Sequence, residues 1–224
     1  MSGIEGKIEG LLGQLPPEVK VVAVTKTRTA GEAMHAYRAG LRIFGENRVQ
    51  ELADKKKQLP KDISWHLIGH LQTNKVRQAV SDASMIESVD SIRLLGKIDS
   101  EAMKQGRKID CLLQFHIATE ETKSGFAISE AETIDWSSVV TSLGAVRLCG
   151  VMGMATFTDD DEKVRQEFKT LALTFRKLRE KHFSDKEWFR EISMGMTGDW
   201  QIAVEEGSTM IRVGTLIFGE RINQ

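Results

Sequence analysis

The segment VVAVTKTRTAGE, residues 21–32, places a short apolar strand directly before a helix start. Thr29 and Glu32 stand three residues apart, which is the pattern of a capping box, so a helix is expected to begin there. Lys26 lies between the strand and the helix. In folds built from strand–helix repeats, functional side chains are commonly placed at this junction. The segment therefore predicts a strand, a helix and a lysine at the mouth of the fold.

A lysine at such a junction has two interpretations. Among apolar walls, its amine loses part of its proton affinity and becomes a nucleophile toward aldehydes. In water it is an ordinary solvated side chain, as most lysines are. Position alone does not decide between these two interpretations of Lys26. A functional role requires further ligand-binding residues elsewhere in the chain.

The strand-then-helix order repeats along the chain. Residues 162–181 carry apolar side chains every three or four positions, which predicts a helix lying on a sheet. Gly40 predicts a helix C-cap, and Ser129 with Glu132 predicts a second capping box, for a helix that reaches toward Leu143. Short apolar or β-branched runs predict strands at residues 21–25, 41–44, 65–68, 84–89, 111–117, 146–152, 188–193 and 210–213.

This alternation predicts an α/β fold, namely a closed (β/α)8 TIM barrel. Eight strand–helix units without a Pro- or Ser-rich linker fit such a barrel better than an open doubly wound sheet. Neither GxGxxG nor GxxxxGK[ST] occurs, which weakens the nucleotide-binding alternative. We expect a single domain over residues 1–224, with the barrel in 20–221 and an extra N-terminal helix in 1–15 on the outside.

Composition excludes several classes of function. The chain carries 31 basic and 32 acidic residues, and its short basic run, residues 55–57, falls in a helix-like stretch where we expect a solvated face. Nucleic acid is therefore not expected as the main partner. Cys111 and Cys149 lie in apolar runs and predict buried thiols rather than a zinc or redox site. The histidines follow no metal-ligand spacing, and no metal is expected.

A cytoplasmic protein is expected from the same sequence. Residues 1–15 contain scattered Glu and Lys, and no apolar stretch of the chain reaches membrane-spanning length. No apolar helix face is left over once the helices are laid on the barrel, so we expect a monomer.

The residues that follow the last predicted strand indicate a phosphate-binding group that could complete a site with Lys26. Gly214 and Thr215 are expected to open a short helix, whose backbone N–H groups and positive dipole end favour a phosphate. The alternative is a barrel-closing turn that uses glycine only for its backbone freedom. Because the first and last strands of a barrel are neighbours, Lys26 and this turn would lie within one ligand's length. A phosphorylated aldehyde held as an imine fits both, either pyridoxal 5'-phosphate or a sugar phosphate.

Arg212, on the last strand, is expected to point into the mouth of the barrel. There its guanidinium would meet the ring nitrogen of a pyridine ligand. Because a guanidinium stays charged, it would keep that nitrogen unprotonated and weaken the ring as an electron sink. Such a site would hold the ligand while limiting carbanion chemistry.

These residues resemble those of a known family, the pyridoxal phosphate homeostasis proteins of the YggS and PROSC type, which are similar to the barrel domain of alanine racemase. The resemblance extends from about residue 21 to residue 221. It rests on separate motifs in the same order: VAVTK (22–26), FGEN (44–47), WHLIGHLQTNK (65–75), KSGF (123–126), SMGM (193–196) and GSTMIRVGT (207–215).

The resemblance implies a role for each candidate site residue. Lys26 would form a Schiff base with pyridoxal phosphate, Asn47 would line the cofactor, and Arg212 would face the pyridine nitrogen. The phosphate would be held by Ser193, Gly214 and Thr215. At His116 the chain departs from many members, which carry asparagine there. Lys123 could receive the aldehyde in a transfer step, although a solvated loop lysine is the more common case.

The implied function is binding, storage and delivery of pyridoxal phosphate to apo-enzymes, without catalysis. A two-base racemase needs a second acid–base group, which alanine racemase takes from a tyrosine on a separate β domain. Here Tyr37 falls in the first helix after the first strand, on the outer layer of the barrel. Two alternatives stay open: a racemase-like pyridoxal phosphate enzyme, and a class I-type aldolase that acts on a sugar phosphate.

Overall fold

A computed structural model describes residues 3–119 and 124–220, in which strands and helices alternate. The strands are β1 (Lys20–Val24), β2 (Ile43–Glu46), β3 (Ser64–Leu67), β4 (Met85–Val89), β5 (Ile109–Phe115), β6 (Val146–Gly153), β7 (Glu191–Ser193) and β8 (Met210–Val213). The helices are α1 (Ile4–Leu12), α2 (Ala30–Arg38), α3 (Val49–Gln58), α4 (Val76–Asp82), α5 (Ile92–Lys104), α6 (Ile128–Thr133), α7 (Trp136–Ser142), α8 (Asp161–His182), α9 (Trp200–Glu205) and α10 (Thr215–Phe218). A 3-10 turn, Thr73–Lys75, precedes α4.

The strands form a closed parallel barrel in the order β1 to β8. β8 pairs with β1, and Val22 stands opposite Arg212 in this seam. The predicted barrel and the adjacency of its first and last strands are confirmed. The seventh strand begins only at Glu191, three residues later than predicted, because Phe189 is fully buried and stacks on Phe183 in a turn before the strand.

Side chains of the strands alternate between two cores. Alternate residues such as Val21 and Ala23 belong to the large core that packs the barrel against its helices. Val22, between them, belongs to a second cluster that fills the barrel interior together with Met85, Leu112, Cys149, Met152 and Met210. Because side-chain direction repeats every two residues along a strand, a residue's position in the strand decides whether it faces the barrel interior or the helices.

The helical layer contains the predicted extra helix. α1 packs against α2 and α10, with Ile8 and Leu11 buried, so the N-terminal helix lies across the seam between the first and last strands. α2 begins with the predicted capping box, in which Thr29 and Glu32 each bond the other's backbone N–H. α8 buries the predicted apolar stripe. No helix within residues 3–119 and 124–220 has the length and apolarity needed to cross a membrane.

The prediction of one helix capped by Ser129 is wrong. α6 is preceded by Ala127 without a side-chain cap, and a separate helix, α7, starts after Asp135, whose carboxylate accepts the N–H of Ser138. The break has a physical cause. Trp136 is fully buried, and its indole N–H donates to the carbonyl of Ala131 at 2.9 Å. Its backbone N–H donates to the carbonyl of Ile134 at 3.0 Å, a contact two residues back that replaces the four-residue bond of a continuous helix.

The prediction of a solvated face at residues 55–57 is wrong for its first member. Lys55 is only 7% exposed, and its ammonium contacts the fully buried Glu46 carboxylate at 2.5 Å. An ion pair with a buried partner compensates for the desolvation of the lysine. The two cysteines are buried and unpaired as predicted, and burial raises the pKa of the Cys149 thiol to about 12.

Candidate functional site at the mouth of the barrel

One cavity brings together most of the predicted site residues. It has a volume of about 610 Å³ and lies at the carboxyl ends of the strands, where (β/α)8 barrels place their sites. Of the six residues that the sequence analysis singled out, Lys26, Asn47, Arg212, Gly214 and Thr215 line it, and Ser193 does not. Lys26 and the Gly214–Thr215 turn, the two halves of the expected site, therefore border the same cavity.

The seam between the first and last strands sets the position of Lys26. β1 ends at Val24, so Lys26 lies two residues beyond the strand, in the loop that leads to α2. Gly214 follows β8 directly across the seam. A Cβ atom at position 214 would come within 3.1 Å of the Val24 carbonyl oxygen. Only a residue without a side chain fits this close approach without displacing its neighbour.

The phosphate half of the site is a short helix start. Gly214 precedes α10, whose first N–H groups have no acceptor within the helix. Thr197, in the loop after β7, faces the same turn, because its hydroxyl accepts the N–H of Leu216 at 3.3 Å. Thr197 lines the cavity and was not among the predicted site residues, although it directly follows the SMGM motif at 193–196. Hydroxyl and backbone N–H groups are suitable phosphate partners.

Arg212 reaches the cavity from inside the barrel. It is 4% exposed, and its two terminal nitrogens donate to the Ser193 hydroxyl at 2.6 Å and to the Gly153 carbonyl at 2.8 Å. Burial lowers the pKa of the guanidinium, and the negative charges of Glu87 and Asp199 oppose this shift. The hydrogen bonds fix the plane of the guanidinium, so that its direction toward the cavity is set before a ligand arrives.

A buried acidic residue supports this arginine. Glu87 is fully buried, accepts the Ser193 hydroxyl at 2.6 Å and contacts His66 Nδ1 at 2.6 Å. Burial raises the pKa of Glu87, but the hydrogen bond and charge of His66, with Arg212 and Ser193, leave the pKa below its ordinary value. This residue was not among the predicted site residues. The available signal was a single charged side chain in the strand predicted at residues 84–89.

Ser193 therefore has a different position from the one expected. Its hydroxyl is fully buried and already bonded on both sides, by Glu87 and by Arg212. The cause is the two-residue period of β7, which turns Ser193 into the barrel interior below the cavity. A direct phosphate contact does not fit this placement, whereas a role in holding Arg212 does.

The rim of the cavity includes several titratable side chains. His70 lies on it, and its Nδ1 contacts the Asp90 carboxylate at 3.1 Å. Asp159 and Asp161 line the opposite side, in the loop after β6 and at the start of α8. Tyr37 is on α2, where its hydroxyl donates to Asp62 on the outer surface at 2.9 Å. Lys123 lies outside the residues that the structure describes.

The chain matches the family model of the alanine racemase N-terminal domain over residues 4–222. It is 36% identical over 217 residues to the pyridoxal phosphate homeostasis protein of Synechocystis sp., covering 95% of this chain and 96% of that protein. It is also 36% identical over 215 residues to the human protein of the same name, with 90% and 76% covered.

Solved structures are similar to this chain as well. PipY of Synechococcus elongatus with pyridoxal phosphate bound superposes with a TM-score of 0.85 at 36% identity, covering 96% of this chain and 100% of that chain. An alanine racemase of Clostridium difficile, at 12% identity, has a TM-score of 0.77 over 100% of this chain and 58% of its own, a likeness in fold alone. The chain thus belongs to the pyridoxal phosphate homeostasis proteins, a family built on the alanine racemase N-terminal domain.

Proposed function

We propose that this protein binds pyridoxal 5'-phosphate at the mouth of its barrel and holds it through a Schiff base on Lys26. In this proposal it buffers the cofactor and delivers it to apo-enzymes. The observation that carries the proposal is the single cavity of about 610 Å³ that contains Lys26, Arg212 and the Gly214–Thr215 turn. When bound, the cofactor supplies an aldehyde that reacts with amines and a pyridine ring that withdraws electrons.

Each residue contributes a distinct property to binding. Lys26 supplies the amine. The start of α10, with Gly214 and the Thr197 hydroxyl, supplies hydrogen-bond donors and room for the phosphate. Arg212, held by Ser193, presents a permanent positive charge to the ring nitrogen, which disfavours protonation of that nitrogen.

Two features support a carrier rather than an enzyme. A charged arginine beside the ring nitrogen limits the electron withdrawal that racemisation requires. The chain's single tyrosine, Tyr37, bonds Asp62 on the outer surface and does not line the cavity, so it is not placed as a second acid–base group. The curated relatives carry the name homeostasis protein, in agreement with this proposal. The proposal also includes a monomeric state and transfer of the cofactor to apo-enzymes.

The test is chemical trapping of the linkage. Purified protein is incubated with pyridoxal phosphate, reduced with borohydride, digested and analysed by mass spectrometry. We expect a stable adduct on Lys26 and a Schiff-base absorption band, both of which are lost in Lys26→Ala. Lys177→Ala is the matched control, because this lysine is exposed on α8 and paired with Glu132. An adduct on another side chain, or no band in the wild type, would contradict the proposal.

The same preparation separates the alternatives. The loaded protein is incubated with a panel of L-amino acids, and their chirality is followed over time. A carrier gives at most one equivalent of product, whereas a racemase-like enzyme turns over repeatedly. An aldolase of the class I type would be isolated colourless and would cleave a sugar phosphate without added cofactor.

A further inference from the structure

The loop that carries Lys26 is held from one side by α3. Lys55 donates its ammonium to the Thr25 carbonyl oxygen at 2.5 Å. Glu51, one helical turn earlier on α3, accepts the backbone N–H of Thr27 at 3.2 Å. These are the carbonyl group of the peptide that precedes Lys26 and the N–H group of the peptide that follows it. Both peptide groups flanking the lysine therefore bond to side chains of one helix.

Lysine side chains are rarely buried, so the burial of Lys55 requires a physical explanation. It is 7% exposed and also contacts Glu46 Oε1 at 2.5 Å. Glu46 is fully buried and accepts the Thr25 hydroxyl at 2.6 Å. Burial raises the pKa of Glu46, and the hydrogen bonds from Lys55 and Thr25 oppose this. The pair therefore binds Thr25 at two points, its carbonyl oxygen and its hydroxyl.

The loop needs such support because its backbone is strained. Thr27, directly after Lys26, has a φ of 63° and is the only described non-glycine residue with a positive φ. A β-branched residue rarely adopts this left-handed conformation, and it persists only where surrounding contacts over-determine it. The bonds from α3 on both sides of Lys26 provide these contacts.

We propose that Glu51 and Lys55 are positioning residues that orient Lys26 for its reaction with the aldehyde of pyridoxal phosphate. This inference rests on the proposed function. The phosphate and ring contacts come from β8, α10 and the loop after β7, which α3 does not hold. Loss of the α3 contacts should therefore slow the covalent step and leave non-covalent binding intact, because a small displacement of a reacting group affects rate more than affinity.

The experiment compares two ligands. Pyridoxal phosphate can form the Schiff base, whereas pyridoxine 5'-phosphate has an alcohol in place of the aldehyde and can only bind non-covalently. The first variant is the double substitution Lys55→Met with Glu46→Gln, which removes the ammonium without leaving an unpaired buried charge. The second is Glu51→Ala, at a more exposed position, which keeps the inference testable if the first fails to fold. Lys55→Arg restores a donor and serves as the rescue.

We expect the Schiff-base band to form about tenfold more slowly, or slower still, in both variants. Pyridoxine phosphate affinity should stay at the wild-type value, and Lys55→Arg should recover most of the rate. Equal losses for both ligands would indicate a general structural role and overturn the inference, as would unchanged rates. Failure of the proposed function is distinct, because then the wild type itself forms no Schiff base on Lys26.

Discussion

Arg212 and Ser193 share a hydrogen bond of 2.6 Å inside the barrel, in which the guanidinium donates to the serine hydroxyl. The hydroxyl in turn donates to Glu87 at 2.6 Å. The serine thus relays the negative charge of a buried carboxylate to the arginine at the cavity. This explains why a polar residue stands at a position that lines no part of the cavity.

Ser193→Ala should lower the free energy of unfolding by about 1–3 kcal/mol, because it leaves buried partners on both sides unsatisfied. It should also weaken pyridoxal phosphate binding, since Arg212 loses one of its two hydrogen bonds. Urea unfolding and cofactor titration measure the two effects. Ser208→Ala is the matched control, because Ser208, in the turn before β8, is also buried but donates its hydroxyl to the Met194 carbonyl and not to Glu87. Ser208→Ala should lose stability while it keeps the wild-type cofactor affinity. Equal losses of affinity in Ser193→Ala and Ser208→Ala would contradict the role of Ser193 between Glu87 and Arg212.

Gly214→Ala should weaken the binding of pyridoxal phosphate. The new methyl group would come within 3.1 Å of the Val24 carbonyl oxygen, so the turn that starts α10 must shift. Competition by inorganic phosphate, measured by titration, should weaken in parallel. Gly96→Ala on α5 is the control, because a Cβ there has no atom within 4 Å, and it should stabilise the helix by about 0.5–1 kcal/mol. If Gly214→Ala binds pyridoxal phosphate with wild-type affinity, this turn is not part of the binding site.

Glu87→Gln should show a stability loss that depends on pH. The pKa of Glu87 in the folded protein lies below its ordinary value of 4.5, so its charge contributes stability that is present above that value. This contribution disappears as the pH falls through the lower folded-state pKa. The difference in unfolding free energy between wild type and variant should therefore shrink on acidification, as measured by urea unfolding at a series of pH values.

The double variant Glu46→Gln with Lys55→Met should show the opposite pH dependence; the second substitution avoids leaving the Lys55 ammonium buried without its partner. Burial raises the pKa of Glu46, so deprotonation of Glu46 between 4.5 and the higher folded-state pKa favours the unfolded chain, and the wild type loses stability relative to the variant over that range. Parallel pH profiles for the two glutamine variants would contradict this assignment of charges.

Local patterns were enough to predict the barrel. Each strand has its own apolar run, and the capping box of α2 depends on Thr29 and Glu32 alone, so neither needed information from distant residues. The proximity of Lys26 to Gly214 followed from barrel closure, which makes the first and last strands neighbours. These features could be read from the sequence because they depend on short-range chemistry and one topological rule.

Features that depend on partners far apart in sequence were not predictable. Ser193 meets Glu87 across the interior of the barrel, 106 residues away, and sequence alone does not give that distance. Lys55 is buried because Glu46 faces outward toward α3, which depends on the register of the helix on the strand. The break between α6 and α7 depends on where Trp136 docks. In each case the outcome depends on tertiary packing, which a local sequence pattern does not contain.

The seam between β1 and β8 also has a consequence for folding. Because the halves of the site come from opposite ends of the chain, no partly synthesised chain that lacks β8 contains a complete site. Ligand affinity is then a property of the finished barrel, and a bound ligand shifts the folding equilibrium of the whole barrel toward the native state by mass action. In refolding experiments, recovery of binding should coincide with the slowest step that brings the two termini of the sheet together.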